Sequence, residues 1–227
     1  MKITLQAVTK EIHGVSVLNN ANCEFLSGNI YGVVGPNGSG KTMLLRVISG
    51  LIRPTHGNVF VDGQTLHKDI SFPPNAGIII EKPELLPYFT GYENLKYLAE
   101  IRRLVSNDQI QKFMKMFALD PNSKQPVKKY SLGMKQKLGV IQAIMENPDV
   151  LILDEPFNAL DESTVAMLHN LFLEYKLKGK LIILTSHHYD DISAICNQVL
   201  TIQDGTIQKN STNICFQEKC TDAILCD

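Results

Sequence analysis

The spacing of apolar residues changes several times along the chain, and each change marks an element. Ile3 to Val8 alternates apolar and polar in the manner of a half-buried strand, and a second strand is expected over Cys23 to Leu26. Gly28-Asn29 turns the chain into Ile30 to Val34, a short continuous apolar run of buried-strand type. Met43 to Ile48 then carries the apolar spacing of a buried helix. Arg53-Pro-Thr-His-Gly57 reads as a turn, Asn58 to Val61 as a strand and Asp62-Gly63 as another turn, which together predict an antiparallel β-ribbon. Gly77 to Ile80 reads as a buried strand ending at Glu81.

From about Tyr92 to Met145 the period lengthens to that of helices, with Leu95, Leu98, Ala99, Phe113 and Phe117 at helical spacing. Breaks fall near Ser106-Asn107 and from Asp120-Pro121 through Pro126. Strand–helix alternation then returns, with strand Val150 to Leu153, helix Glu162 to Tyr175, strand Leu181 to Leu184 and helix Tyr189 to Ile195. Val199 to Ile202 and Thr206 to Gln208 close the pattern as a hairpin through Asp204-Gly205. Strands alternating with helices specify an α/β core around a parallel sheet, here carrying a helical insertion over about 84–147. The whole chain, 1–227, is expected to form one such domain, a size that buries a good core.

Chemistry enters between the run at Ile30 to Val34 and the helix after it. Gly35, Gly38, Gly40, Lys41 and Thr42 fit G-x-x-x-x-G-K-[ST] without a mismatch. Glycines let the backbone curl until successive N–H groups converge on one anion, and the following helix aims its positive end at the same point. Lys41 can reach terminal phosphates, and the Thr42 hydroxyl can hold a magnesium ion. The pattern is that of a nucleoside-triphosphate cradle running through Gly35, Pro36, Asn37, Gly38, Ser39, Gly40, Lys41 and Thr42.

A second apolar strand, Val150 to Leu153, delivers Asp154 and Glu155 at its C-terminal end, where ligands bind in open α/β sheets. An Asp-Glu pair alone is most often a solvated strand end. Behind a complete phosphate loop, Asp154 suits the magnesium shell and Glu155 suits the orientation or deprotonation of an attacking water. His187 leaves the next buried strand on the same edge, where it can hydrogen-bond a terminal phosphate.

The bulk properties exclude several classes. A net charge of −1 leaves no electrostatic footprint for nucleic acid or acidic lipid. The N-terminus lacks the apolar core of a signal peptide, and no apolar run approaches bilayer length, so a role at a membrane is expected to come through a partner. The cysteines at 23, 196, 215, 220 and 226 lack the close pairing of a zinc site and read as reduced thiols. Asn210-Ser-Thr fits a glycosylation acceptor by pattern, which has no meaning without a secretory signal.

Taken in order, Gly35 to Thr42, Tyr130-Ser-Leu-Gly-Met-Lys-Gln-Lys137, Leu151 to Pro156, Asn158-Ala-Leu-Asp161 and Thr185-Ser-His187 closely resemble the ATP-binding-cassette (ABC) ATPase family over about residues 3 to 208. The resemblance implies a P-loop NTPase fold with a mixed central sheet, an N-terminal antiparallel β subdomain and an inserted α-helical subdomain. It matches Lys41 and Thr42 to Walker A, Asp154 and Glu155 to the Walker B aspartate and catalytic glutamate, Asp161 to the D-loop and His187 to the switch histidine. Ser131 and Gly133 match the family signature. It further implies ATP and Mg²⁺ as ligands, hydrolysis at Glu155, and two cassettes sandwiching each ATP between the phosphate loop of one and the signature of the other. Partners would be a second ATPase subunit and an integral-membrane permease, holding the chain on the cytoplasmic face of the cell membrane.

Two departures resemble the branch that includes bacitracin- and lantibiotic-exporting ATPases. The signature reads Ser-Leu-Gly-Met, and Glu81 stands where glutamine is common, as a further candidate for the magnesium. The adenine-stacking aromatic of the first loop is missing: by spacing Ile12 or His13 falls there, and Tyr31 reads as core. Glu81, Pro83, Pro87, Tyr88 and Phe89 resemble the family's docking face for a permease helix, though the aromatics equally suit a core. The expected function is export powered by ATP. The alternative is a soluble cassette acting on ribosomes or DNA, which the near-zero charge disfavours. A P-loop kinase explains neither Ser131 to Gln136 nor His187.

Overall fold

Period-two side-chain alternation on a sheet buried on both faces generates two separate cores. The computed structural model of the chain describes residues 1–210. Cys215, Cys220 and Cys226, with the last two residues of the Asn210-Ser-Thr pattern, lie outside the described residues. Strands β1 (Lys2–Ile12), β2 (Val15–Leu26), β4 (His56–Val61) and β5 (Gln64–Thr65) form an antiparallel sheet in the order β2-β1-β4-β5. Strands β3 (Ile30–Val34), β6 (Ala76–Ile79), β7 (Val150–Leu153), β8 (Leu181–Thr185), β9 (Gln198–Gln203) and β10 (Thr206–Asn210) form a second sheet in the order β10-β9-β3-β8-β7-β6. It is parallel except for the final β9–β10 hairpin, so the sheet is mixed.

Tyr31, Val33, Val150, Ile152, Leu181, Ile183, Leu200 and Ile202 point to one face, where they pack with helix α1 (Lys41–Ile48) and the inner face of the antiparallel sheet. Their neighbours Ile30, Leu151, Leu153, Ile182 and Leu184 point to the other face, against the remaining helices. These are α2 (Gly91–Arg102), α3 (Asn107–Met116), α4 (Leu132–Ile144), α5 (Glu162–Leu177) and α6 (Tyr189–Ile195). Helices α2, α3 and α4 enter the chain between β6 and β7, where the helical insertion was expected.

Local chemistry sets the helix ends. Capping boxes start α2, through Thr90 and Glu93, and α3, through Ser106 and Gln109. Ser131 caps α4 by accepting from Met134 N, and Asp161 caps α5 by accepting from Thr164 N. Close approach explains two glycines: a Cβ on Gly77 would strike the Ala143 carbonyl, and one on Gly139 would strike Pro83. Helix α4 therefore lies directly on β6 and on the segment that follows it.

The main departure from the predicted elements is β2, which begins at Val15 rather than Cys23. Ile12 pairs with Val15 across a tight turn in which His13 and Gly14 hold φ of 49° and 78°. Register shifts along the β1–β2 ribbon and the polar run Asn19-Asn20 interrupt the alternation that would have revealed the strand.

Candidate functional site

The phosphate loop joins β3 to α1. Gly35, Gly38 and Gly40 hold φ of 155°, 78° and 106°, in the region that only glycine enters without strain. Gly40 also sits where a Cβ would lie 2.7 Å from the Val17 carbonyl, so β2 braces the loop from outside. Lys41 is buried, with Nζ donating to the carbonyls of Gly35 at 2.8 Å and Pro36 at 3.0 Å. Its charge is thus folded over the concave side of the loop.

Parallel pairing puts the ends of β7 and β8 side by side. Asp154, just past β7, accepts from Thr42 Oγ1 at 2.8 Å through one carboxylate oxygen and from Thr185 Oγ1 at 2.7 Å through the other. Glu155 N donates to Thr185 Oγ1 at 2.9 Å, and Glu155 itself holds a left-handed φ of 50°. His187 N donates to Glu155 Oε2 at 3.2 Å, and His187 Nε2 lies 3.0 Å from Glu155 Oε1, close enough to pair but not aligned as a directed hydrogen bond. Burial pushes the Glu155 carboxyl up from its ordinary value, and His187 partly offsets this. A carboxylate with a raised pKa and a spare oxygen is suited to accept a proton from water.

These groups line one cleft of about 320 Å³ that contains Asn37, Gly38, Gly40, Lys41, Thr42, Asp154, Glu155 and His187. Thr42 and Asp154 present adjacent oxygens, the donor type that magnesium takes together with phosphate oxygens and water, so this part of the site fits that ion. Glu81 lines the same cleft, with its carboxylate held by Arg46 Nη2 at 2.7 Å. Ser131 and Gly133 do not join the cleft. They line a separate groove beside Asp161, on another part of the surface.

Ile12 and His13 are absent from the cleft lining. The tight β1–β2 turn carries them away, and Val17 of β2 stands there instead. Tyr31 is buried against Phe25, with its hydroxyl accepting from Leu26 N. Sequence reasoning gave no role to Thr185, whose hydroxyl links Asp154 to Glu155, although its place at the end of an apolar strand on the acid-bearing edge was a usable signal. Arg46 gave no comparable signal, and Gln136 stood out only as a member of the signature run, because the partners of both are distant in sequence.

The profile described as ABC transporter matches residues 18–158. An uncharacterized ABC transporter ATP-binding protein of Bacillus subtilis (strain 168), YybJ, is 47% identical over 201 residues, 88% of this chain and 92% of that protein. The lantibiotic transport ATP-binding protein SrtF of Streptococcus pyogenes is 31% identical over 206 residues, 90% of this chain and 88% of that protein. The ATP-binding cassette MJ0796, in a dimeric post-hydrolysis structure with ADP and Pi, superposes with a TM-score of 0.77 at 23% identity, covering 91% of this chain and 98% of that one. The chain belongs to the ABC transporter ATPase family, as a P-loop ATPase with lantibiotic-transport relatives. Among the described residues no helix is long and apolar enough to cross a membrane.

Proposed function

We propose that this ATPase domain powers export of a substrate of the peptide-antibiotic or lantibiotic class through a separate membrane permease, by closing with a second copy on ATP. The observation that carries the pairing is the separation of the two half-sites. The phosphate loop, Asp154, Glu155 and His187 share one cleft, while Ser131 and Gly133 open on another groove. Ser131 starts α4, whose positive end suits a phosphate brought by another molecule. A head-to-tail pair supplies that phosphate, and MJ0796, which shares this fold, is itself dimeric. Removal of the terminal phosphate then loosens the pair.

Within each copy, the loop amides from Gly35 to Thr42 bind the phosphates and Lys41 turns from its own carbonyls to them. Glu155 takes a proton from the attacking water, and His187 hydrogen-bonds the terminal phosphate. Magnesium, held by Thr42 and Asp154 with Glu81 at the rim, would neutralise charge on the phosphate oxygens. The permease would dock on a strip of apolar side chains left in solvent: Tyr88, Phe89, Tyr97 and Ile101 are 75%, 41%, 56% and 71% exposed. Such exposure sets them apart from core aromatics. The relationship to SrtF supports the substrate class.

Glu155→Gln tests the chemistry. General-base loss costs about 10²- to 10⁴-fold in turnover. The variant should bind ATP within a few-fold of wild type and hydrolyse it at least about 100-fold more slowly, measured by phosphate release. Turnover within tenfold of wild type removes Glu155 from the mechanism.

A further inference from the structure

We infer that Gln136 is a positioning residue for hydrolysis, tying the peptide that carries Glu155 to the helix that begins at Ser131. Gln136 lies one turn into α4 with its side chain buried. Its Nε2 donates to the Glu155 carbonyl at 3.2 Å and to the Pro156 carbonyl at 3.1 Å. Both partners are acceptors only, so the side chain must present its NH₂ group and no carboxylate can replace it.

The geometry gives this contact a task. Glu155 holds a left-handed φ of 50°, a conformation costly for a residue with a side chain, and it persists only where neighbours fix it. Thr185 secures the amide side of Glu155, and Gln136 secures the carbonyl side together with Asn158 N at 3.3 Å. The next residue of α4, Lys137, reaches Asp161 Oδ2 at 2.6 Å, and a Cβ on Gly133 would lie 2.5 Å from the Ala159 carbonyl. The first two turns of α4 therefore grip the segment from Glu155 to Asp161 at its start, middle and end. The base of one nucleotide site is fixed to the same helix that, in the paired form proposed above, faces the phosphate of the other site. The coupling rests on that pairing, but the grip of Gln136 on Glu155 does not.

Gln136→Leu keeps the volume and removes both donors. Expected is a fall in kcat of at least tenfold, with the KM for ATP and the equilibrium affinity for a fluorescent ATP analogue within twofold of wild type. Amide hydrogen exchange at Glu155 and Asn158 without nucleotide should rise at least tenfold. The exchange result reads the grip directly, so it stands even if the wild-type chain proves not to hydrolyse ATP. Unchanged exchange at those amides, unchanged kcat, or equal losses of affinity and turnover would each overturn the inference. If the leucine variant does not fold, Gln136→Asn retains the amide one methylene short. It should show the same split of kcat from KM and the same faster exchange, and wild-type behaviour there overturns the inference equally.

Discussion

Single side chains in the cleft differ in what they can contribute. Lys41 is the only cation of the phosphate loop and is buried against it. A charge-assisted hydrogen bond contributes about 1.5–3 kcal/mol, so Lys41→Ala should weaken ATP binding by about 10- to 150-fold in an equilibrium titration. Unchanged affinity would contradict the cradle. Val17, on the wall of the cleft, has no polar group with which to read a base. Stacking on an aromatic contributes about 1–3 kcal/mol per base, and a valine offers only dispersion. GTP should therefore displace the ATP analogue within about tenfold of ATP itself, and a preference for ATP beyond about 100-fold would contradict the valine wall. Against Phe157, burial lowers the His169 pKa from its ordinary 6.5, only partly opposed by Asp191. The unfolded chain then binds the proton first. Stability conferred by neutral His169 is full above pH 6.5 and falls as the pH drops toward the folded value. His169→Gln should flatten the loss of Tm between about pH 7.5 and 5.5, and equal slopes would contradict this assignment.

At the scale of elements, the close contact between α4 and β6 is the most exacting. A side chain on Gly77 meets the backbone of Ala143, which cannot swing aside as a flexible side chain would. Gly77→Val should lower the denaturant midpoint by the equivalent of about 1–3 kcal/mol with unchanged m, and an unchanged midpoint would contradict the packing. Legibility in sequence followed the same physics. β3, β7 and β8 are buried on both faces and appear as unbroken apolar runs, so both the strands and the acids at their ends could be read directly. The ends that the pattern predicts for α6, Tyr189 and Ile195, are those of the structure. β2 was half hidden because its bulges break the alternation, and β5, at two residues, is too short to carry a period. Gln136 was invisible as a contact because its partners lie 19 and 20 residues away, across a fold the pattern alone does not close.

For the whole molecule, two cores back one sheet, and the sheet's C-terminal edge gathers the phosphate loop, Asp154, Glu155 and His187. The inserted helices carry the remaining surfaces, with the Ser131 groove on α4 and the exposed apolar strip on α2 and the segment before it. Tyr97 and Ile101 lie one helical turn apart on the same face of α2. If the permease proposed above docks here, replacing both with aspartate should leave ATP affinity intact and abolish co-purification with that permease. Retained co-purification would move the docking site elsewhere. The pairing of two copies through ATP is tested most directly by sedimentation velocity on Glu155→Gln with ATP and magnesium, alone and combined with Ser131→Glu. The single variant should sediment as a dimer only when ATP is present, and the added charge at the start of α4 should return it to monomer. A dimer that survives Ser131→Glu, or a monomer in every condition, would mean that the terminal phosphate does not join two copies through this groove.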